Sequence, residues 1–119
     1  MAGKILIVED NWDFREILAT VLNTGGYEVI EAPGARDGIQ KAFSESPDLI
    51  IMDLGLPEMD GIEATTMLKR NPKTADIPVI AYTVWSDDFR ERALEAGMVE
   101  FLPKTTPPQV LRAIVGRFV

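Results

Sequence analysis

Two short apolar runs in this chain end on carboxylates, and these acids are the side chains best suited to chemistry. Residues 5–8 are followed by Glu9 and Asp10, and residues 49–52 by Asp53. Short, branched-rich runs are typical of strands that are buried on both faces of a parallel sheet. The carboxyl ends of parallel strands meet at one edge, where open α/β folds bind ligands. We therefore expect the acids in one shallow pocket, with a hard cation such as Mg²⁺ offsetting their repulsion.

The composition excludes several kinds of site. The chain has no cysteine and no histidine, so it contains no disulfide, thiolate zinc site, Ser-His or Cys-His pair, or phosphohistidine. Its formal net charge of −7 argues against direct binding of nucleic acid, whose phosphates need clustered Lys and Arg. No apolar stretch approaches the roughly 20 residues of a membrane span, and the first strand begins too early for a signal peptide. We expect one cytoplasmic domain, residues 1–119, without membrane insertion.

Strand-like and helix-like patterns alternate along the whole chain. The expected strands are residues 4–9, 27–32, 49–52, 77–82 and 99–102. The expected helices are residues 12–24, 35–46, 62–70, 86–96 and 107–118. Five such units predict an α/β fold, a doubly wound five-stranded parallel sheet in a three-layer αβα sandwich. A flavodoxin-like strand order, 2-1-3-4-5, places the switch point between the two strands that carry the acids.

The loop after the third strand carries a family resemblance. Residues 53–61, DLGLPEMDG, resemble the phosphoacceptor loop of two-component response-regulator receiver domains of the single-domain, chemotaxis-regulator-like kind. Glu9 and Asp10 resemble the acidic pair of that family. Thr83 resembles its switch hydroxyl, and Lys104 resembles its invariant lysine. The resemblance spans the whole chain, with these elements in the family's order on the expected strand ends.

The resemblance implies a Mg²⁺-dependent phosphoryl transfer. Asp53 would be the phosphoacceptor, and carboxylates do accept phosphoryl groups covalently. Mg²⁺ would be held by Asp10, Asp53 and the main-chain carbonyl of Gly55, with Glu9 acting through a water. The donor would be a phosphohistidine on a sensor histidine kinase or a histidine phosphotransfer protein. The chain would not be an enzyme with a separate substrate, but would promote its own phosphorylation and dephosphorylation.

The resemblance also implies a conformational switch. Lys104 and Thr83 would each contact a phosphoryl oxygen, and the movement of the Thr83 hydroxyl would be coupled to Phe101 on the fifth strand. The surface of the fourth helix, fifth strand and fifth helix would then change its contacts with a downstream protein effector. The sequence ends at Val119, just past the last expected helix, and we expect no output domain within it. We therefore expect either signalling by protein contact or a receiver taken from a longer protein.

The chain departs from the family pattern at several positions. Thr105 follows Lys104 where the family usually has a proline preceded by a cis bond. A cis bond before a residue other than proline costs roughly 2.5–4 kcal/mol, so we expect the Lys104–Thr105 bond to be trans. Val84 stands where the residue after the switch position is usually very small, and Trp85 follows it. Their bulk would restrict access beside Gly55 and lengthen the aspartyl-phosphate lifetime. Alternatively, Val84 packs sideways and Trp85 lies on the surface.

Trp12, at the start of the first helix, would either anchor the phosphodonor protein or cover the edge of the core. Binding of Mg²⁺ or a phosphoryl analogue should change the tryptophan fluorescence.

Several of these residues also have ordinary structural interpretations. Glu9 and Asp10 would suit a helix N-terminus, Thr83 a strand, Lys104 a solvated surface and Phe101 the core. Three other functions are compatible with the fold. They are a pseudo-receiver binding module that is not phosphorylated, a small phosphohydrolase with Asp53 as nucleophile, and a flavodoxin. The phosphohydrolase lacks an evident general acid or base, and the flavodoxin lacks a phosphate-binding loop after the first strand.

Overall fold

The computed structural model describes residues 3–119, which form five strands and five helices. The strands are β1 (Lys4–Val8), β2 (Glu28–Ala32), β3 (Leu49–Met52), β4 (Val79–Thr83) and β5 (Glu100–Pro103). The helices are α1 (Trp12–Thr24), α2 (Ala35–Glu45), α3 (Gly61–Arg70), α4 (Arg90–Glu95) and α5 (Pro108–Val115). The strands are parallel and lie in the order β2-β1-β3-β4-β5. The predicted flavodoxin-like α/β fold is therefore confirmed.

The sheet lies between two apolar cores because successive strand residues face opposite sides. On one side, Leu6 and Val8 of β1 pack with buried residues of α2, α3 and α4. On the other side, Ile5 and Ile7 pack with buried residues of α1 and α5. All four β3 residues are buried, which explains why β3 reads as an unbroken apolar run.

The strand register brings the predicted site residues to one edge of the sheet. Val8 of β1 pairs with Met52 of β3, so the residues that follow these strands leave the sheet side by side. The main-chain N–H of Asp53 also donates to the carbonyl of Val8, at 3.0 Å, which extends the ladder by one residue. Thr83 ends β4 opposite Pro103 of β5. The acids and the residues of the β4 and β5 ends therefore converge at the carboxyl edge.

The predicted helix 86–96 is wrong in its first turn. Residues Asp87–Phe89 form a 3₁₀ turn, and α4 covers only Arg90–Glu95. The Ser86 hydroxyl accepts a hydrogen bond from the main-chain N–H of Asp88 (3.3 Å), a local bond that competes with regular helix formation. α4 is therefore short, and the segment between β4 and α4 is a tight loop beside the site.

The remaining differences are at element ends. β4 begins two residues later than predicted, after Pro78, which has no N–H to donate to a sheet. α5 ends at Val115 rather than residue 118, because the chain continues through short-range turns from Gly116. Among the described residues no peptide bond is cis, so the Lys104–Thr105 bond is trans, as predicted. None of the helices described for residues 3–119 has the length and apolarity needed to cross a bilayer.

Candidate functional site

Three carboxylates form the centre of the site at the carboxyl edge. Glu9, Asp10 and Asp53 each place one carboxylate oxygen within 4.8 Å of the others. Glu9 and Asp53 are only 3% and 5% exposed, whereas Asp10 is exposed. An all-oxygen donor set of this kind fits a hard divalent cation and excludes one that requires thiolate or imidazole. The acidic pocket predicted from the strand ends is therefore present.

Lys104 lies between the two buried acids. Its Nζ is 2.6 Å from Oε1 of Glu9 and 3.2 Å from Oδ2 of Asp53. Burial alone would lower the pKa of the Lys104 ammonium, but the hydrogen bond to Glu9 and the charge of Asp53 outweigh it and raise this pKa. The main-chain N–H of Lys104 also donates to the carbonyl of Thr83, at 2.9 Å. The lysine is thus charged and held beside Asp53, so it is not a solvated surface residue.

Glu9 is held by hydrogen bonds from residues at the beginning of α1. Its Oε2 accepts a hydrogen bond from the main-chain N–H of Asn11 (3.0 Å), and Arg15 donates to its main-chain carbonyl (2.7 Å). Burial raises the pKa of the Glu9 carboxyl, while the hydrogen bond from Lys104 opposes this shift. The residue whose side chain caps α1 is Asn11, because its Oδ1 accepts from the N–H of Phe14 (2.9 Å). The alternative in which Glu9 and Asp10 serve as helix caps is therefore not what the structure shows.

The loop between β3 and α3 holds Asp53 in place from the other side. Oδ1 of Asp53 accepts a weak hydrogen bond from the main-chain N–H of Gly55, at 3.3 Å. The loop closes where the N–H of Gly61 donates to the carbonyl of Leu54 (2.9 Å). Asp60 caps α3 by accepting from a main-chain N–H at 2.8 Å. A Cβ on Gly61 would lie 2.2 Å from the carbonyl oxygen of Asp53, so the close return of the chain requires glycine.

The last residue of β4 and the two residues that follow it occupy different environments. Thr83 is completely buried, and its hydroxyl oxygen accepts from the main-chain N–H of Trp85 (3.1 Å). Val84 is 76% exposed, so its bulk lies outside the protein core. The half-buried Trp85 stacks at a tilt on Phe89 (ring centroids 4.7 Å apart). Its Nε1 is 2.9 Å from the position that a Cβ on Gly55 would occupy. Of the two bulky residues, Trp85 is therefore the one that covers the Gly55 side of the site.

The two predicted aromatic residues outside the pocket lie in opposite environments. Phe101 is buried in the core, with the Arg90 guanidinium 5.1 Å from its ring centroid. A buried ring suits both a core residue and one state of a switch, so its switching role stays a prediction. Trp12 is 62% exposed and does not cover the core edge. Its indole is available to a partner on the α1 surface.

Sequence reasoning missed two residues of the site. The ring of Phe14 lies under Lys104, with Nζ 4.6 Å from the ring centroid. Tyr82 lies behind Phe14, with ring centroids 5.3 Å apart. Phe14 falls at helical core spacing and Tyr82 inside an apolar strand, so neither carried a signal that distinguished it from a core residue.

Comparison with known proteins gives a consistent result. Residues 5–116 match the family model described as response regulator receiver domain. The chain is 38% identical over 115 residues to the phosphate regulon transcriptional regulatory protein PhoB of Pseudomonas aeruginosa, covering 95% of this chain and 50% of that protein. Chemotaxis protein CheY4 of Vibrio cholerae has a TM-score of 0.92 at 26% identity, with 100% of both chains covered.

A third similar structure holds a metal ion. It is the receiver domain of a sensor histidine kinase of Pseudomonas aeruginosa, with a TM-score of 0.90 at 30% identity and 99% and 98% of the two chains covered. That structure has a magnesium ion coordinated in its active site cleft. The chain spans about half the length of most of the curated relatives that it matches, as for the PhoB proteins.

Proposed function

Because the chain belongs to the response regulator receiver domain family, we propose that Asp53 accepts a phosphoryl group from a phosphohistidine donor. The donor is a sensor histidine kinase or a histidine phosphotransfer protein. The observation that carries the proposal is the contact between Asp53 and Lys104, 3.2 Å at the closest atoms, within a cluster of three carboxylates. A buried carboxylate next to a lysine and further acids suits an acceptor of a charged group.

The transfer forms one bond and breaks one. A carboxylate oxygen of Asp53 bonds to phosphorus while the bond from phosphorus to the donor imidazole nitrogen breaks, and its electron pair stays on that nitrogen. Lys104 already contacts Oδ2 of Asp53 and shifts its ammonium to an oxygen of the transferred group. The buried hydroxyl of Thr83 donates to a second oxygen in place of its present contact with Trp85.

The acidic cluster is proposed to hold Mg²⁺. The ligands would be carboxylate oxygens of Asp10 and Asp53 and the main-chain carbonyl of Gly55, and Glu9 would contribute through a water. When bound, the ion supplies positive charge that offsets the charge of the transferred group and orients it. The magnesium ion in the cleft of the similar receiver domain from Pseudomonas aeruginosa supports this assignment.

The proposed output is a change in protein contacts. Movement of the Thr83 hydroxyl toward the phosphoryl group would vacate space beside Phe101 and alter the surface of α4, β5 and α5. A downstream protein effector would recognise that surface. A cytoplasmic location is part of the same proposal, because phosphohistidine donors of this kind act inside the cell.

A phosphorylation assay tests the acceptor. The protein is incubated with Mg²⁺ and acetyl phosphate and then analysed by mass spectrometry. We expect one acid-stable, base-labile phosphoryl adduct, which Asp53→Asn abolishes because the amide is no nucleophile for phosphorus. Asp88→Asn, a change at an exposed acid of the 3₁₀ turn, should leave the adduct intact.

The same assay distinguishes the other functions. Absence of an adduct on the unmodified chain would contradict the proposal and favour a pseudo-receiver binding module. Continuous consumption of acetyl phosphate at a rate far above adduct formation would instead indicate a phosphohydrolase.

Trp85 is expected to lengthen the lifetime of the aspartyl phosphate. Its indole lies over Gly55, whose N–H contacts Asp53, and it would hinder the approach of water to a phosphoryl group on Asp53. We expect Trp85→Ala to shorten the lifetime in Mg²⁺ by at least about threefold, a barrier change of about 0.7 kcal/mol. The decay is followed by mass spectrometry after removal of the donor. Trp12→Ala removes the exposed indole at the start of α1 and serves as control. A lifetime of seconds in the unmodified chain would rule out this role for Trp85.

A further inference from the structure

The ammonium of Lys104 has a third neighbour besides its two carboxylates. Its Nζ lies 4.6 Å from the ring centroid of Phe14. A cation at this distance over a phenyl ring is attracted by the negative face of the ring. The main-chain N–H of Phe14 donates to the capping side chain of Asn11 (2.9 Å), so the backbone that carries this ring is held at the first turn of α1.

Tyr82 connects this ring to the loop that carries the lysine. Its ring packs against Phe14 with centroids 5.3 Å apart, and it is fully buried in β4. Its hydroxyl donates a short hydrogen bond to the main-chain carbonyl of Thr106, two residues beyond Lys104. The N–H of Lys104 donates to the carbonyl of Thr83, the residue after Tyr82. The β5–α5 loop is thus tied to the end of β4 on both sides of the lysine side chain.

We propose that Phe14 and Tyr82 are positioning residues for Lys104 in phosphoryl transfer, an inference that rests on the proposed function. Phe14 positions the Lys104 ammonium, and Tyr82 positions the β5–α5 loop that carries Lys104. The contacts of Lys104 with Glu9 and Asp53 must loosen when Asp53 is phosphorylated, because the ammonium then turns to a phosphoryl oxygen. The ring face takes no part in the bond changes, so it stays beside the ammonium while the carboxylate contacts loosen, and it restrains the ammonium most in the transition state.

The sequence of the β5–α5 loop indicates why this loop needs a restraint from Tyr82. Residue 105 is threonine, so φ of the residue directly after the lysine lacks the restraint of a proline ring. The bond from the Tyr82 hydroxyl to Thr106 supplies a restraint from outside the loop. Burial raises the pKa of this hydroxyl, which is consistent with its role as a hydrogen-bond donor.

A double-mutant cycle separates positioning from ordinary packing. We expect Phe14→Leu to lower the initial rate of phosphorylation by acetyl phosphate by about 3- to 30-fold, the range of one lysine–ring contact. Phe14→Tyr should restore the rate, because it restores the ring. In a Lys104→Ala background the change at Phe14 should alter the residual rate by less than about twofold, because it acts through the lysine. An equal loss in both backgrounds would overturn the proposal.

The chain offers a matched control for this contact. Lys73 lies over the ring of Phe43, with Nζ 4.3 Å from the centroid, at an exposed position on the α2 side of the molecule. Phe43→Leu removes a contact of the same kind and should leave the phosphorylation rate unchanged. A loss equal to that of Phe14→Leu would show that the rate reports general destabilisation, which would also overturn the proposal.

A second measurement needs no phosphoryl transfer. The ε-methylene protons of Lys104 should show upfield ring-current shifts by NMR in the unmodified protein, and Phe14→Leu should remove these shifts. Tyr82→Phe deletes one hydroxyl and keeps the ring, so it should fold. We expect it to reduce the shifts and slow phosphorylation. Unshifted protons in the unmodified protein, or no effect of Tyr82→Phe on either readout, would contradict positioning. Normal shifts in a chain that is never phosphorylated would contradict the proposed function instead.

Discussion

Replacing Gly61 with alanine is expected to lower the free energy of unfolding by at least about 3 kcal/mol, a large fraction of the stability of a domain this size. The added Cβ would lie 2.2 Å from the carbonyl oxygen of Asp53 and 2.9 Å from Cα of Leu54. Both are backbone atoms, so no side-chain rotation relieves the clash. The hydrogen bond from Gly61 to the carbonyl of Leu54 would have to lengthen. Relaxation has to move Asp53 or the loop that closes on it, so phosphorylation should fall as well.

Urea denaturation followed by circular dichroism measures the change at Gly61. The matched control is Gly34→Ala, because a Cβ on Gly34 meets nothing within 4 Å and its backbone is extended, with φ −156°. As Gly34 precedes α2 as its N-cap, the control should cost at most about 1 kcal/mol. A Gly61→Ala protein as stable as the control would show that the loop moves without cost, and would contradict the closure described above.

Replacing Lys104 with methionine is expected to make folding depend strongly on Mg²⁺. In the presence of a chelator the free energy of unfolding should fall by about 3 kcal/mol, because Glu9 and Asp53 are buried and lose their shared counter-charge. Excess Mg²⁺ should recover most of this loss by binding the folded state alone. The unmodified protein should gain less from Mg²⁺, since Lys104 already offsets part of the repulsion.

The measurement is urea denaturation of both proteins with chelator and with Mg²⁺. Lys41→Met is the control, because Lys41 pairs with Asp37 on the surface of α2 at 3.3 Å. Such pairs contribute at most about 1 kcal/mol, and the gain from Mg²⁺ should equal that of the unmodified protein. A Lys104→Met protein whose stability is the same with and without Mg²⁺ would argue against a cation site at these acids.

The sequence was sufficient to predict the fold and the meeting of the acids. An unbroken apolar run followed by a carboxylate predicts a buried strand with an acid at its carboxyl end. The helical spacing of apolar residues predicted α1 at Trp12–Thr24, as observed. These features depend on local periodicity and on the rules of parallel sheets. The receiver family was predictable from the loop after Asp53 together with Thr83 and Lys104.

Other features depend on contacts between distant parts of the chain. The direct pairing of Glu9 with Lys104 joins the first strand to the last loop, and no local pattern encodes it. Phe14 follows the same spacing as a core residue, so its place under Lys104 appears only in three dimensions. From the sequence, Val84 and Trp85 were both expected to restrict access to the site. In the structure Val84 is exposed, and only Trp85 lies over Gly55. The residue types therefore indicated which positions matter, but the sequence did not predict where their side chains point.

The hydrogen bond from the main-chain N–H of Asp53 to the carbonyl of Val8 makes the proposed acceptor part of the sheet itself. A group added to Asp53 cannot be accommodated by shifting its backbone, since that would break the pairing of the two central strands. The sheet would therefore act as a fixed support, and the structural effect of a phosphoryl group on Asp53 would fall on the loops after β4 and β5. Those loops include the 3₁₀ turn at Asp87–Phe89, the shortest helical piece of the structure. Because the backbone of Asp53 is fixed and these loops can move, one covalent bond at Asp53 would be enough to change the conformation of the domain surface.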